Sequence, residues 1–299
     1  MPTVSPILDA PSSPTAKEEP PPSPDGWPVG LQALRAELDR IDDALHDLLM
    51  QRALVVERVA RSGKRSAFRP GREATMIRRL LARHGGSLPP QAVFRIWREL
   101  LAGTTAMQGG FSLAVCDSDA GAGITQLARE HFGALTPLRV HGSAGQALTE
   151  ISNGTASVAV LPFPSDTETW WTALLHQEPR IHVVARLPFW TGRPEGAPAV
   201  EALAVAASTP DPSGLDRSFL GLECDDDVSR TRLASELTAA GLAPETLVLL
   251  RDPGGMVARV LVEVDGFLSD EDPRLGALGA VLRRPVVLGG YAVPIGHTT

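Results

Sequence analysis

From Leu31 onward, apolar residues recur at three- and four-residue steps: Leu31, Leu34, Leu38, Ile41, Leu45, Leu48 and Leu49, with Val55, Val56 and Val59 continuing the stripe. This spacing predicts one amphipathic helix of about 30 residues, about 45 Å long at 1.5 Å per residue. Pro70 suits the first turn of a second helix, Arg72 to Arg83, which Gly85-Gly86 stops. A third helix runs from Pro89-Pro90 to about Gln108. Helix 1 is far longer than the other two, so its ends would overhang a monomeric bundle. Dimerisation through helix 1 is the economical way to cover its stripe.

After Gly109-Gly110 the period changes. Short apolar runs at 112–116, 138–141, 157–161 and 182–187 alternate with helical stretches at 124–132, 143–152 and 168–175, the rhythm of an α/β unit. Residues 192–198 read as a loop. The remaining stretches, at 218–224, 230–240, 246–251, 257–264, 273–282 and 286–291, read β-α-β-β-α-β, a small ferredoxin-like domain. Residues 1–28 carry nine prolines with much Ser, Glu and Asp, and read as a disordered tail. The predicted organisation is therefore a tail (1–28), an all-α three-helix domain (29–109), an α/β lobe (110–208) and an α+β ferredoxin-like domain (209–299).

Composition narrows the function. No stretch approaches the roughly 20 apolar residues of a spanning helix, and the N-terminus lacks a signal-peptide pattern, so a cytoplasmic protein without membrane partners is expected. Cys116 and Cys224 are isolated, which fits small buried thiols in a reducing compartment rather than a disulfide or a zinc site. The net charge of −7 disfavours nucleic acid. It also conceals a division: residues 31–109 carry 14 Lys+Arg against 8 Asp+Glu, or +6, and the rest of the chain carries −13.

The cations of that basic segment are its candidate chemistry. Arg35 and Arg52 lie 17 residues apart on helix 1 and point about 100° away from each other, so in a dimer one can reach across to the partner. Lys64 lies near the end of helix 1, Arg72 and Glu73 open helix 2, and Thr104 and Gln108 share a face of helix 3 at i and i+4. Together they could line a small, strongly cationic pocket. Taken singly, each also has an ordinary reading: a solvated arginine, a back-bonded threonine, an acid in a first helical turn.

The joint pattern resembles the all-helical chorismate mutases, particularly the mutase part of bifunctional chorismate mutase–prephenate dehydratases. The matching text is Leu34-Arg35, Ile41-Asp42, Leu48-Leu49 with Arg52, Lys64, Arg69-Pro70-x-Arg72-Glu73, Arg98-Glu99 and Gln108. The resemblance implies a domain-swapped helical dimer that converts chorismate to prephenate with neither metal nor cofactor. It implies that Arg35 of one subunit and Arg52 of the other each grip a carboxylate, and that Lys64 and Gln108 donate to the ether oxygen. Glu73 would take the ring hydroxyl, with Arg72 and Thr104 completing the polar wall. Two departures stand out. Arg69 occupies a position usually acidic, and Lys64 aligns only after a one-residue shift, which leaves Arg61 and Arg65 as substitutes.

Residues 111–208 resemble a shortened prephenate dehydratase domain, through Gly121-x-Gly123, His131-Phe132-Gly133 and Asn153-Gly154 followed by Val158 to Pro162. The expected Glu-Asn-Ser is replaced by Phe163-Pro164-Ser165, and Thr-Arg-Phe leaves only Asp216-Arg217-Ser218-Phe219, so no dehydratase activity is expected. The last segment resembles an ACT domain through Arg251-Asp252-Pro253, Val262 to Gly266 and Leu288-Gly289-Gly290-Tyr291, which implies an aromatic amino acid as effector; its Gly-Ala-Leu and Glu-Ser-Arg-Pro ligand motifs are not intact, however, so a degenerate module that stabilises or dimerises is favoured over effector binding. Gln126 replaces the third glycine of a dinucleotide fingerprint, and the scattered histidines offer no metal-ligand spacing. Two other readings remain open: a non-catalytic sensor of aromatic metabolites in the mutase fold, and an isochorismate pyruvate-lyase-like enzyme.

Overall fold

The computed structural model describes residues 30–62, 68–117, 123–176, 178–252 and 254–296. The proline-rich segment 1–28 and Lys64 lie outside the described residues. The described chain forms two units, one ending at Arg58 and one beginning at Val59.

The first unit is helix α1 (Leu31–Arg61), which runs on into the start of the second unit. None of its residues is buried, and Leu38 and Leu48 are 59% and 60% exposed. The stripe read from the sequence is thus present and bare. Glu37 and Arg40 pair at i and i+3 along the border of the stripe, with Arg40 Nη2 2.6 Å from Glu37 Oε1.

The second unit is built on one nine-stranded mixed sheet. Its strands are β1 (Leu113–Cys116), β2 (Leu138–His141), β3 (Val158–Pro162), β4 (His182–Leu187), β5 (Ala202–Ala206), β6 (Asp216–Asp225), β7 (Pro244–Arg251), β8 (Val257–Asp265) and β9 (Arg283–Ala292). They lie in the order β2-β1-β3-β5-β4-β9-β6-β8-β7. β1 runs parallel to β2 and β3, while β9, β6, β8 and β7 are antiparallel to their neighbours within that half. Helices α4 (Gly123–Phe132) and α5 (Ala144–Ser152) cover opposite faces. Strand alternation explains why: Leu113 and Val115 pack with Leu127 and Phe132 of α4, whereas Ala114 and Cys116 pack with Leu148 and Ile151 of α5. Helix α6 (Arg230–Ala239) and the short α7 (Pro273–Gly276) pack against the β6–β9 half.

Three sequence expectations shift. The stretch 168–175 is a six-residue 3-10 helix, Trp170–Leu175, rather than an α-helix, and its Trp171 is wholly buried. The last helix is four residues long rather than ten, in a stretch that holds Gly276 and Gly279, residues that weaken helices. β5 went unread, because its alanine-rich run has little strand propensity and pairs only because β3 and β4 flank it. Cys116 and Cys224 are buried free thiols, as expected.

The two halves of the sheet meet where β4 runs parallel to β9, at Val183 and Gly289. Gly289 has φ +109°, and a Cβ there would stand 2.4 Å from the Val183 carbonyl oxygen, so only glycine permits the approach. A buried polar cluster spans this join. Glu263 of β8 accepts from Tyr291 of β9 and Thr246 of β7, and Arg186 of β4 reaches it at 3.2 Å. Arg186 also donates to the Tyr291 hydroxyl at 3.0 Å and to Glu201 at 3.0 Å. Burial raises the Tyr291 hydroxyl well above its ordinary pKa, which keeps it a donor.

Candidate active site

Two further helices of the second unit, α2 (Pro70–Ala82) and α3 (Pro90–Ala106), carry Arg72, Glu73 and Thr104, whereas Gln108, expected on helix 3, follows it in a turn. Pro70 opens α2, and the helix has no N-cap side chain of its own. Its free amides are met from the β5–β6 connection instead: Asp211 accepts from Gly71 N at 3.1 Å, Arg72 N at 3.2 Å and Arg69 Nη2 at 3.1 Å. A carboxylate at this end satisfies orphan donors and complements the helix dipole. A Cβ on Gly71 would lie 2.0 Å from the Asp211 carbonyl oxygen, which explains the glycine. Arg69, the departure from the family pattern, thus binds a carboxylate supplied by another part of the chain.

The α2–α3 contact carries an ion pair. Arg98 of α3, with only 4% of its side chain exposed, places Nη1 3.2 Å from Glu73 Oε2. Its guanidinium carbon lies 5.5 Å from the Phe94 ring centroid and 4.9 Å from that of Phe189, so aromatic faces flank the cation. Burial pulls its pKa down to about 10, against the pull of Glu73, which leaves it charged at neutral pH. The same Nη1 lies 3.4 Å from Nε2 of His131 on α4. A guanidinium only donates, so Nε2 accepts and the imidazole proton sits on Nδ1. Burial, and then the charge of Arg98, push the His131 pKa well below the ordinary histidine value.

Residues 34–109 match the family model of chorismate mutase type II. All seven residues picked from the sequence fall inside that segment. The bifunctional chorismate mutase/prephenate dehydratase of Pseudomonas aeruginosa is 27% identical over 146 residues, 46% of this chain and 40% of that protein. The enzyme of the same description from Stutzerimonas stutzeri is 25% identical over 146 residues, with the same coverage. The chain thus carries a chorismate mutase type II segment and spans about 40% of the length of these curated relatives. Among solved structures, the quorum quenching acylase GqqA is 15% identical with a TM-score of 0.47, covering 60% of this chain and 94% of that one. Prephenate dehydratase from Streptococcus mutans is 14% identical with a TM-score of 0.44, covering 62% and 98%. Both likenesses are too loose to bear on function.

Within the mutase segment, Arg35 is exposed and Arg52 half-buried, both on α1. Arg72 is exposed at the start of α2, one residue before Glu73. Thr104 is buried and donates to the Leu100 and Leu101 carbonyls, each at 3.0 Å, while Gln108 is exposed and its Nε2 donates to the Thr104 carbonyl at 3.3 Å. The structure therefore joins Thr104 to Gln108 and gives Glu73 to Arg98. Glu73 lines a small crevice with Leu101, Ala102, Thr105 and His131, and Thr104 is not among its walls. Sequence reading assigned no role to Arg98 or His131. A signal existed: Arg98 lies four residues after Phe94 and three before Leu101, so this arginine sits on an apolar face and needs a partner.

The residues that replace the dehydratase motif are engaged structurally. Asp216 accepts from Ser213 N at 2.8 Å and Gly214 N at 3.0 Å, and Arg217 Nη2 lies 3.3 Å from Glu245. The Ser218 hydroxyl donates to the Gly266 carbonyl at 2.9 Å and accepts from Leu268 N at 2.8 Å. Phe219 is core.

Proposed function

We propose that this chain is a chorismate mutase that works as a helical, domain-swapped dimer. The observation that carries the reading is the match at residues 34–109; that segment contains Arg35, Arg52, Arg72, Glu73, Thr104 and Gln108. Chorismate is a dianion whose rearrangement breaks a C–O bond and forms a C–C bond in one pericyclic step. The catalyst holds a compact chair-like conformer and stabilises the negative charge that grows on the ether oxygen. Guanidinium forks suit the two carboxylates, so Arg52 of one subunit and Arg35 of its partner each bind one. Lys64 and Gln108 donate to the ether oxygen, with Arg61 and Arg65 as substitutes for Lys64. Glu73, held from behind by Arg98, takes the ring hydroxyl, and Arg72 and Thr104 complete the wall.

The exposed stripe of α1 supports the dimer. Leu31, Leu38, Leu45, Leu48 and Val55 are each more than half exposed, and covering one such side chain is worth roughly 1.5–3 kcal/mol. A second copy of the same stripe is the simplest cover. The antiparallel order β9-β6-β8-β7 with two helices on one face supports the ferredoxin-like, ACT-like reading of 209–299 as a structural module, and an aromatic amino acid is the effector to test on it. Residues 29–109 form the mutase domain and 110–208 the reduced α/β lobe. Because Asp216, Arg217, Ser218 and Phe219 are committed to loop, ion-pair and core roles, dehydratase activity is not part of the proposal. No described helix is long and apolar enough to cross a membrane, and the cytoplasm remains the proposed location.

The purified chain is expected to convert chorismate to prephenate, with prephenate persisting at neutral pH as in a protein-free control. An inactive protein that still bound chorismate would favour the sensor and sink the enzyme reading. Prephenate loss faster than in the control would refute the missing dehydratase.

A further inference from the structure

A second cleft shares only His131 with the small crevice that Glu73 lines. A cavity of about 500 Å³ opens between the N-terminal half of α3, one side of α4 and residues 188–194 after β4. That is the size of a small-molecule site. Its apolar wall is an aromatic group: the Phe94 ring lies 5.5 Å from Trp190 and 6.3 Å, stacked, from Phe189. The polar side is unevenly partnered. Glu130 is held by both ends of the Arg193 guanidinium, one at 3.1 Å, and by Gln126 Nε2 at 2.8 Å. Arg95 is exposed on the same wall and has no ion-pair partner among the described residues. His131, 7% exposed, also lines the cavity, and its Nδ1, which the contact with Arg98 makes the protonated nitrogen, has no hydrogen-bond partner among the described residues.

With a neutral His131, the cavity carries Arg95 and Arg193 against Glu130, a surplus of one positive charge. The complement is a single negative charge on a flat apolar body, because aromatic faces reward stacking beyond their buried area and a free guanidinium matches a carboxylate fork. We propose that this cleft binds a small aromatic carboxylate, with its ring among Phe94, Phe189 and Trp190 and its carboxylate on Arg95. The site is separate from the mutase residues and stands whether or not the chain rearranges chorismate.

Titration calorimetry on the full chain with benzoate and phenylacetate tests the assignment, with benzylamine and hexanoate as the charge-reversed and non-aromatic controls. Saturable binding of the aromatic carboxylates is expected, weakened at least about tenfold, or 1.4 kcal/mol, in Arg95→Ala. It should vanish in Gln126→Trp, which fills the cleft from an exposed helix position. Binding should persist in Arg52→Ala. Both cleft substitutions replace exposed residues, and circular dichroism checks that the variants fold. Any of four results overturns the proposal: no saturable binding, equal affinity in Arg95→Ala, equal affinity for benzylamine or hexanoate, or loss of binding in Arg52→Ala alone.

Discussion

Replacing Arg98 by Met probes the centre of the α2–α3 contact. The thioether fills much of the arginine's volume between Phe94 and Phe189 but takes from Glu73 its buried cation, 3.2 Å away. Glu73 is itself only 13% exposed, so water replaces little of what is lost. Breaking a buried pair from one side costs about 3–5 kcal/mol, because the other charge keeps its desolvation penalty. For a unit of this size that corresponds to a fall in Tm of roughly 6–20 °C. Glu73→Gln should cost a similar amount, and the double substitution less than the sum, with a coupling of about 1–3 kcal/mol. Urea denaturation of all four proteins, at constant m, reads the cycle. A loss below about 1 kcal/mol in Arg98→Met, or strict additivity, would refute the description of this pair as a buried interaction.

Two further outcomes follow from geometry and burial. Gly289→Ala should push β9 away from β4, since its Cβ meets the Val183 carbonyl at 2.4 Å, and cost at least about 1–3 kcal/mol; an unchanged Tm would show that the two halves of the sheet do not depend on this contact. His131, whose folded-state pKa is depressed, contributes stability that is present above the unfolded value near 6.5 and is lost as pH falls below it, because only the unfolded chain takes up the proton. Between about pH 6.5 and 5, His131→Gln should lose stability less steeply than the parent, by up to about 1.4 kcal/mol per pH unit; parallel pH profiles would contradict the assignment of a neutral buried imidazole.

Local pattern made much of this architecture legible. Strands 138–141 and 182–187 and helix α1 follow from periodicity alone, because their neighbours only reinforce what their side chains prefer. β5 did not, since Ala202, Ala204 and Ala206 become a strand only once β3 and β4 are beside them. The join at Gly289 and the capping of α2 by Asp211 were also out of reach, since each depends on residues about a hundred or more positions away. The site divides the same way. Glu73 was readable from the motif around it, but its partner is 25 residues away on another helix, and His131 lies 33 beyond that. Arg98 stood in the matching text with no role, because what defines its role, Glu73 and His131, lies on other helices.

The proposal of a mutase whose sites are shared between subunits is tested most directly by mixing two inactive variants. Arg35→Ala and Arg52→Ala should each lack mutase activity as pure dimers, because every site loses one carboxylate ligand. After unfolding and refolding together, half of the dimers are hybrids, and each hybrid restores one complete site with Arg35 from one chain and Arg52 from the other. The account predicts recovery of about a quarter of the wild-type rate of prephenate formation. No recovery, in a mixture shown to contain hybrids, would contradict it.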